Sequence, residues 1–208
     1  ALLTEAVAIG NATARSILFG PQDPKNFIYP GKAGYWQTGF PGGSHEYLVN
    51  QGNGGRDMDG RTLFFYLATV NTPAMALEIP GVGSQYAFSS RDGSGAYLNG
   101  SNTYKLNIPA NPPAQRFWSF VVYDPQTRAM LQSDDMPYPS KNNKRNTDMV
   151  KNADGSIDLY FGPQAPAGKE ANWVKTVPGK GWFGIFRLYG PGQEWFDRTW
   201  KLGDIEKV

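Results

Sequence analysis

From Gly83 to the C-terminus, the sequence consists of short apolar segments separated by turn-forming residues. The segments read YAFSSRD, AYLNGSNTYKLNI, RFWSFVVYD, SIDLYF and GWFGIFRLYG. Short apolar runs at this spacing are typical of the strands of a β-sandwich or jelly roll. The 25 glycines and 16 prolines of the 208-residue chain favour the tight turns that such a fold needs. The predicted fold is therefore mainly β (α+β), with a jelly-roll-like antiparallel β-sandwich over residues 83–208.

Two local patterns refine this prediction. The segment from Arg116 to Asp124 is apolar on both faces, which indicates a central strand that is covered on two sides. Asn99 and Gly100 lie between two strand patterns, and this pair is a strong signal for a two-residue hairpin turn. The last aromatic segment is followed by a single predicted helical turn from Gln193 to Phe196.

The first 82 residues follow a different pattern and are predicted to form a helical and irregular connecting segment. Ala1 to Phe19 carries apolar residues at approximate helical spacing and is followed by Gly20 and a proline. Residues 21–60 are rich in Gly, Pro, Asn and aromatics and show no period. A second helix is predicted from Asp59 to Met75, with Asp59 as its N-cap and Pro73 ending it.

Charge and composition exclude several classes of function. The formal net charge is only +2, so the chain lacks the positive charge typical of proteins that bind the nucleic-acid backbone. The densest basic run, Lys141 to Arg145, is interpreted as a solvated loop. No apolar run approaches the roughly 20 residues of a membrane-spanning helix. We therefore predict neither a nucleic-acid partner nor a transmembrane segment.

Cysteine and histidine usage limits the chemistry further. The chain has no cysteine, which excludes disulfides, thiolate metal sites and cysteine nucleophiles. His45 is the only histidine, so a metal site with two histidines would need a second chain. No metal centre and no cofactor are predicted. His45 lies beside Glu46 and could act as a general base, although a histidine in a loop is more often simply solvated.

The order of motifs in the C-terminal part resembles a known family. LNGSNTYKLNIP precedes FWSFVVYD, and NADGSIDLYF, KEANWV, FRLYGP and DRTWK follow. This order resembles the bacterial module catalogued as domain of unknown function 1214. The upstream segment DGRTLFFYLATVNTPAM resembles the connecting helix of proteins in which that module follows domain of unknown function 1254. The resemblance implies a jelly-roll-like sandwich, export to the periplasm or secretion, and a longer protein with a second β-domain. Because the chain starts at Ala1 without an initiator Met or a signal peptide, it is interpreted as a processed or partial product.

Arg187 is the most conspicuous candidate for a site. In the segment GWFGIFRLYG it shares a strand face with Phe183, Ile185 and Tyr189. A guanidinium in an apolar neighbourhood needs a partner, because an unpaired buried charge is costly. Asp158 is the partner predicted for a core salt bridge, and this structural interpretation is preferred. The functional alternative is an arginine that clamps an anion at the mouth of the sandwich.

A second candidate is the compact polar run that contains Lys169, Glu170, Asn172 and Trp173. Trp173 could stack on a sugar or another flat ligand while Glu170 and Asn172 bind its polar edge. Alternatively, Asn172 caps backbone groups in a turn and Trp173 is buried. The structural alternative is favoured, because a tryptophan that leads into a strand usually belongs to the core.

The predicted site is a pocket between the loop from Tyr35 to Glu46, the second helix and the mouth of the sandwich. Its candidate ligand-binding residues are Arg61, Tyr66, Tyr123, Trp173 and Arg187, with His45 and Glu170 in addition. The leading hypothesis is an exported ligand-binding or structural module for a small molecule or a glycan. One alternative is a hydrolase or lyase acting on a polar small molecule or glycan. The other is an assembly protein that forms a homo-oligomer or packs against a missing N-terminal domain. Whether the protein is an enzyme stays open at this point.

Overall fold

The computed structural model describes residues 1–20, 23–29, 35–68 and 70–208, apart from the side chain of Gln51. Its backbone contacts divide the chain into two compact units. The first unit comprises Ala1–Pro30 and Thr38–Glu78, and the second comprises Gly31–Gln37 and Ile79–Val208. The boundary between residues 82 and 83 stays a sequence-based prediction. Residues 21–22 and 30–34 lie outside the described chain, and they belong to the predicted irregular segment 21–60.

The first unit is helical. Helix α1 spans Leu2–Phe19 and helix α2 spans Met58–Leu67, and the two helices contact each other. A separate short helix, α3, spans Pro73–Ala76. In α1 only Leu18 and Phe19 are buried, and the first 13 residues of the chain are all exposed. The two predicted helices are confirmed, but the stripe of apolar residues in the first half of α1 does not face a core.

The boundaries of the second helix differ from the prediction. Asp57, not Asp59, is the N-cap, and its carboxylate accepts a hydrogen bond of 2.9 Å from the Gly60 backbone N–H. The helix ends at Leu67, and Pro73 begins α3 instead of ending α2. Proline suits the first turn of a helix because its missing N–H has no intrahelical partner there.

The second unit holds eight strands in two sheets. The strands are β1 (Ser84–Ser89), β2 (Tyr104–Ile108), β3 (Ala114–Tyr123), β4 (Ser140–Asn142), β5 (Ile157–Gly162), β6 (Trp173–Lys175), β7 (Phe183–Pro191) and β8 (Ile205–Lys207). The first sheet has the order β1-β7-β3-β4, and all its pairs are antiparallel. The second sheet has the order β6-β5-β2-β8, in which only β5 and β6 run parallel. A helical turn, α4, spans Gln193–Phe196 as predicted.

The core lies between the two sheets. Phe120 of β3 and Phe161 of β5 meet across the sandwich with their ring centroids 4.8 Å apart. Both side chains are fully buried, as are Phe186 of β7, Leu106 of β2 and Val174 of β6. The mainly β sandwich predicted from the sequence is confirmed. The central position of the segment Arg116 to Asp124 is also confirmed, because β3 lies between β7 and β4.

The predicted hairpin turn at Asn99 and Gly100 is wrong. A two-residue turn of this type requires positive φ at its central residues, and neither residue has one. Asn99 instead pairs with Gly181, and the Gly100 N–H donates to Lys180 O at 2.8 Å. Gly100 therefore serves a close approach of two backbone segments.

Asn172 joins three backbone groups inside the second unit. It lies in a single 3₁₀ turn, Glu170–Asn172, directly before β6, and its side chain is buried. Its amide nitrogen donates to Val150 O at 2.8 Å and to Asp158 O at 2.9 Å. Its amide oxygen accepts from Val150 N at 2.8 Å. The predicted bonding of Asn172 to backbone groups is confirmed, but its partners lie in distant segments and not in its own turn.

Candidate functional site

The outer face of the first sheet carries the most unusual group of side chains, and we call it the arginine face. Register places Arg187 of β7 between Tyr86 of β1 and Ser119 of β3. Residues that are paired across strands project to the same side of a sheet, so these three side chains share one face. The intervening residues, such as Phe186, point into the core. The arginine face is therefore built on three adjacent strands.

Two aromatic rings surround the Arg187 guanidinium. Its central carbon lies 5.6 Å from the ring centroid of Tyr86 and 5.8 Å from that of Tyr123. Its Nη2 donates a hydrogen bond to the Tyr123 hydroxyl oxygen. A cation within about 6 Å of an aromatic centroid is attracted by the ring. Tyr86 and Tyr123 thus hold the guanidinium in place, but neither ring carries a negative charge to compensate it.

The predicted salt bridge between Arg187 and Asp158 is wrong. Asp158 lies on β5 of the other sheet, where it accepts a hydrogen bond of 2.7 Å from Asn107 Nδ2. Within the described chain, no carboxylate oxygen comes within 4.0 Å of the Arg187 nitrogens. Arg187 Nε is buried and has no hydrogen-bond partner among the described residues. The Nε–H of Arg187 is therefore a donor for which no described residue supplies an acceptor.

A second unpaired donor lies on the same face. Gln37 is bridged in antiparallel fashion to Phe88 of β1, through hydrogen bonds of 2.9 and 3.1 Å. Phe88 is in turn paired with Ile185 of β7, which lies two residues from Arg187. Gln37 is only 1% exposed, and its Nε2 has no partner among the described residues. Gln37 lies in the loop from Tyr35 to Glu46 that is predicted to border the pocket, but it is not among the candidate residues, because its segment shows no period.

Burial raises the pKa of the Tyr123 phenol, and the neighbouring Arg187 opposes this rise. A raised pKa in the folded state means that the folded protein holds the phenolic proton more tightly than the unfolded chain does. The corresponding stability is complete below pH 10, the ordinary pKa of tyrosine, and is lost as the pH rises above it.

We expect Tyr123→Phe to reduce the decline in unfolding free energy between pH 9 and 11. Urea titrations of the wild type and of Tyr123→Phe measure this decline, and equal declines in the two proteins would contradict the prediction. Between pH 6 and 8, where the phenol is protonated in both states, the two proteins should show the same slope.

Trp173 begins β6 of the second sheet, and Glu170 lies in the 3₁₀ turn directly before it. Trp173 is half-buried, and its indole N–H donates to Gly162 O at 3.0 Å. The fully buried residue of β6 is Val174, so the predicted core position of Trp173 is wrong. Glu170 is exposed, and its carboxylate accepts from the Gly168 N–H at 3.1 Å. Neither side chain joins Arg187.

His45, Arg61 and Tyr66 belong to the first unit. The backbone carbonyl of His45 accepts from Asn71 Nδ2 at 2.7 Å, and its side chain is half-buried. Arg61 is exposed and lies 5.3 Å above the ring of Phe65, and Tyr66 is half-buried. The predicted pocket combines these residues with residues of the second unit, and it stays a prediction.

The outer face of the second sheet carries a polar groove of about 600 Å³. Its polar groups are largely satisfied by one another. Asn107 Nδ2 donates to Ser156 Oγ at 3.2 Å as well as to Asp158, and Ser156 Oγ donates to Asp154 at 2.6 Å. The groove therefore lacks the buried unpaired donors that distinguish the arginine face. Its lining residues are Lys105, Asn107, Asn152, Ala153, Asp154, Ser156, Asp158, Gly203, Asp204 and Glu206.

Within the described ranges, no group of three or more His, Asp or Glu side chains could hold a metal ion. In the same ranges, no helix combines the length and the apolar character needed to cross a membrane.

The fold and the site define a β-sandwich module with an arginine on the outer face of one sheet. Residues 83–193 match the model of the family described as Protein of unknown function (DUF1214), and the chain belongs to this family. No curated protein matches the chain.

The solved structures that are similar to this chain include the following two. The VPA0106 protein from Vibrio parahaemolyticus is 23% identical with a TM-score of 0.54, over 78% of this chain and 39% of that one. A putative uncharacterized protein from Burkholderia cenocepacia is 16% identical with a TM-score of 0.45, over 99% of this chain and 42% of that one. The chain thus spans about two fifths of the length of both proteins. The likeness to the Vibrio protein supports the fold alone.

Proposed function

We propose that this protein is a binding module for a small molecule, and that Arg187 holds an anionic group of the ligand. The observation that carries the proposal is the buried Nε of Arg187, which lacks both a hydrogen-bond partner and a carboxylate among the described residues. Arg187 as a whole is half-buried, but its Nε–H is a buried donor without an acceptor, which costs about 1–3 kcal/mol. A bound carboxylate or phosphate oxygen would accept from Nε and form a strong, charge-assisted hydrogen bond.

The surroundings of Arg187 suit this role. The guanidinium is fixed between Tyr86 and Tyr123, so little side-chain freedom remains to be lost when a ligand binds. Neighbouring positions on the face are apolar and almost buried, with Val121 8% and Ile185 9% exposed. Partial exclusion of water strengthens an ionic contact. The ligand class supported by these contacts is a small acid with an apolar body.

Nuclear magnetic resonance of the Arg187 Nε–H group tests the proposal directly. Titration with hexanoate is expected to shift this resonance, and Arg187→Gln is expected to weaken hexanoate binding at least tenfold. Arg145→Gln serves as the matched control, because Arg145 is exposed and the substitution removes the same charge. If Arg187→Gln does not fold, Arg187→Lys keeps the charge and loses the guanidinium donors. Equal affinity in the wild type and in the folded Arg187 variant would refute the proposal.

The hydrolase or lyase alternative has less support from the described contacts, because two carboxylates that could otherwise act as acid or base have structural partners. Asp57 caps α2 and pairs with Lys25 at 3.1 Å. Asp124 accepts from Gln126 N at 2.7 Å and pairs with Lys180 at 3.2 Å. An acid/base pair needs groups that are available to a substrate. Binding without catalysis is therefore the preferred function.

Assembly is a second proposal, and the exposed surface of α1 supports it. Leu2 and Leu3 are 82% and 79% exposed, and Val7 and Ile9 are 63% and 59% exposed. Such an apolar helix surface is typical of an interaction surface. We propose that it packs against a second copy of this chain. Light scattering is expected to give a dimer, and Leu3→Glu is expected to give a monomer; a monomeric wild type would overturn this.

The family resemblance supports two further proposals. It favours export to the periplasm or secretion, and it favours a longer protein in which domain of unknown function 1254 precedes the present chain. If the wild-type chain is monomeric, that preceding domain becomes the better candidate to cover α1. Localisation of the tagged full-length protein by cell fractionation tests the first proposal, and a cytoplasmic protein would contradict it.

A further inference from the structure

Two buried donors on one sheet face place a further condition on the ligand. Arg187 Nε and Gln37 Nε2 are both buried, and neither has a hydrogen-bond partner among the described residues. A buried donor without an acceptor is rare and costly in a folded protein. Gln37 is not a mobile surface residue, because it is 1% exposed and both its backbone groups are bonded to Phe88.

Register gives the approximate spacing of the two residues. Gln37 is bridged to Phe88, and Phe88 is paired with Ile185, so Gln37 lies two strand spacings from β7. Two spacings amount to about 10 Å, and the step from Ile185 to Arg187 along the strand adds about 7 Å at right angles. The two backbone positions are therefore about 12 Å apart. Long side chains that project to the same side can approach a common small ligand across this distance.

The side chains between the two donors are apolar and buried. Phe88 is 3% exposed and Ile185 is 9% exposed, and both project to the same face as Gln37. A ligand segment that lies over these side chains should be a hydrocarbon, because a polar segment would lose its hydrogen bonds to water there.

We propose that the ligand is an acid with a carboxylate at one end and an uncharged carbonyl or hydroxyl oxygen at the other. The carboxylate accepts from Arg187 Nε, and the uncharged oxygen accepts from Gln37 Nε2. A second carboxylate does not suit Gln37, because an amide supplies a donor and no positive charge in this buried position. This inference rests on the proposed function of Arg187 and adds the selectivity of the site.

Matched acids test the inference. Affinities are measured for pentanoate with levulinate, hexanoate with 5-oxohexanoate, and octanoate with 7-oxooctanoate, because the span of the site sets the best length. In the best-fitting pair, the oxo acid is expected to bind about tenfold more tightly than the plain acid. This factor corresponds to the free energy of one buried neutral hydrogen bond. Adipate is expected to bind no better than hexanoate.

Variants of Gln37 separate this inference from the proposed function. Gln37→Leu is expected to remove the preference for the oxo acid and to leave the affinity for the plain acid within about twofold of the wild type. If the leucine variant does not fold, Gln37→Met is used in its place. Equal affinities within all three pairs, or a preference that persists in the Gln37 variant, would overturn the inference while Arg187-dependent binding stands. If no acid binds and the Arg187 resonance does not move, the proposed function and this inference both fail.

Discussion

Replacement of Asn172 by leucine is expected to lower the free energy of unfolding by about 3–4 kcal/mol. Leucine is close to asparagine in size, but it supplies neither donor nor acceptor. Three backbone groups would lose their partner, namely Val150 N, Val150 O and Asp158 O. Because Asn172 is only 4% exposed, water cannot readily replace the lost hydrogen bonds.

Equilibrium unfolding in urea measures this effect. Glu170→Ala is the matched control, since Glu170 lies two residues away in the same turn and is exposed. This control is expected to change the unfolding free energy by no more than about 0.5 kcal/mol. A loss below about 1 kcal/mol for Asn172→Leu would show that the three backbone groups find other partners, and the connecting role of Asn172 would then be wrong.

The partners of Asn172 could not be predicted, because Val150 and Asp158 lie 22 and 14 residues away in the sequence. That its side chain bonds to backbone could be predicted, because asparagine often does so and the polar run before Trp173 has the composition of a turn. The strands were predictable for a similar reason, since a central strand such as β3 carries apolar residues on both faces. Local pattern also placed Arg187 on one face with Phe183, Ile185 and Tyr189, and the register of β7 agrees.

The partner of Arg187 could not be predicted, because sheet membership depends on pairing between distant segments. Arg187 and Asp158 lie in strands that follow the same apolar pattern, yet β7 belongs to the first sheet and β5 to the second. Gln37 was missed for a related reason. It joins the edge of the first sheet through one bridge to Phe88, and no periodicity in its own segment indicates that position. The unpaired donors of the arginine face thus become visible only when the strand order is known.

Gly100 shows how a strong local signal can lead to a wrong turn and still mark an important residue. The pair Asn99 and Gly100 predicts a hairpin turn, but the glycine is needed for contact with the backbone of Val177. A Cβ atom at position 100 would lie 2.8 Å from the carbonyl carbon of Val177 and 2.9 Å from its nitrogen. Distances this short are not tolerated, and a backbone segment cannot rotate away as a flexible side chain can.

Gly100→Ala is therefore expected to lower the free energy of unfolding by about 3 kcal/mol. Hydrogen bonds on both sides resist the necessary shift, because the Gly100 N–H donates to Lys180 O at 2.8 Å and Thr176 Oγ1 donates to Gly100 O at 2.9 Å. Thr176 is fully buried, so movement of Gly100 would also disturb the interior. Urea unfolding measures the loss.

Gly181→Ala is the control from the same region. Gly181 pairs with Asn99, and a Cβ atom there would meet only ordinary contacts, the nearest being Leu98 O at 3.5 Å. We expect this variant to stay within about 0.5 kcal/mol of the wild type. If the two alanine variants were equally stable, the close approach at Gly100 would not be required. A large loss at Gly100 alone would show that this glycine serves to bring two distant backbone segments together, because neither position has the positive φ of a turn glycine.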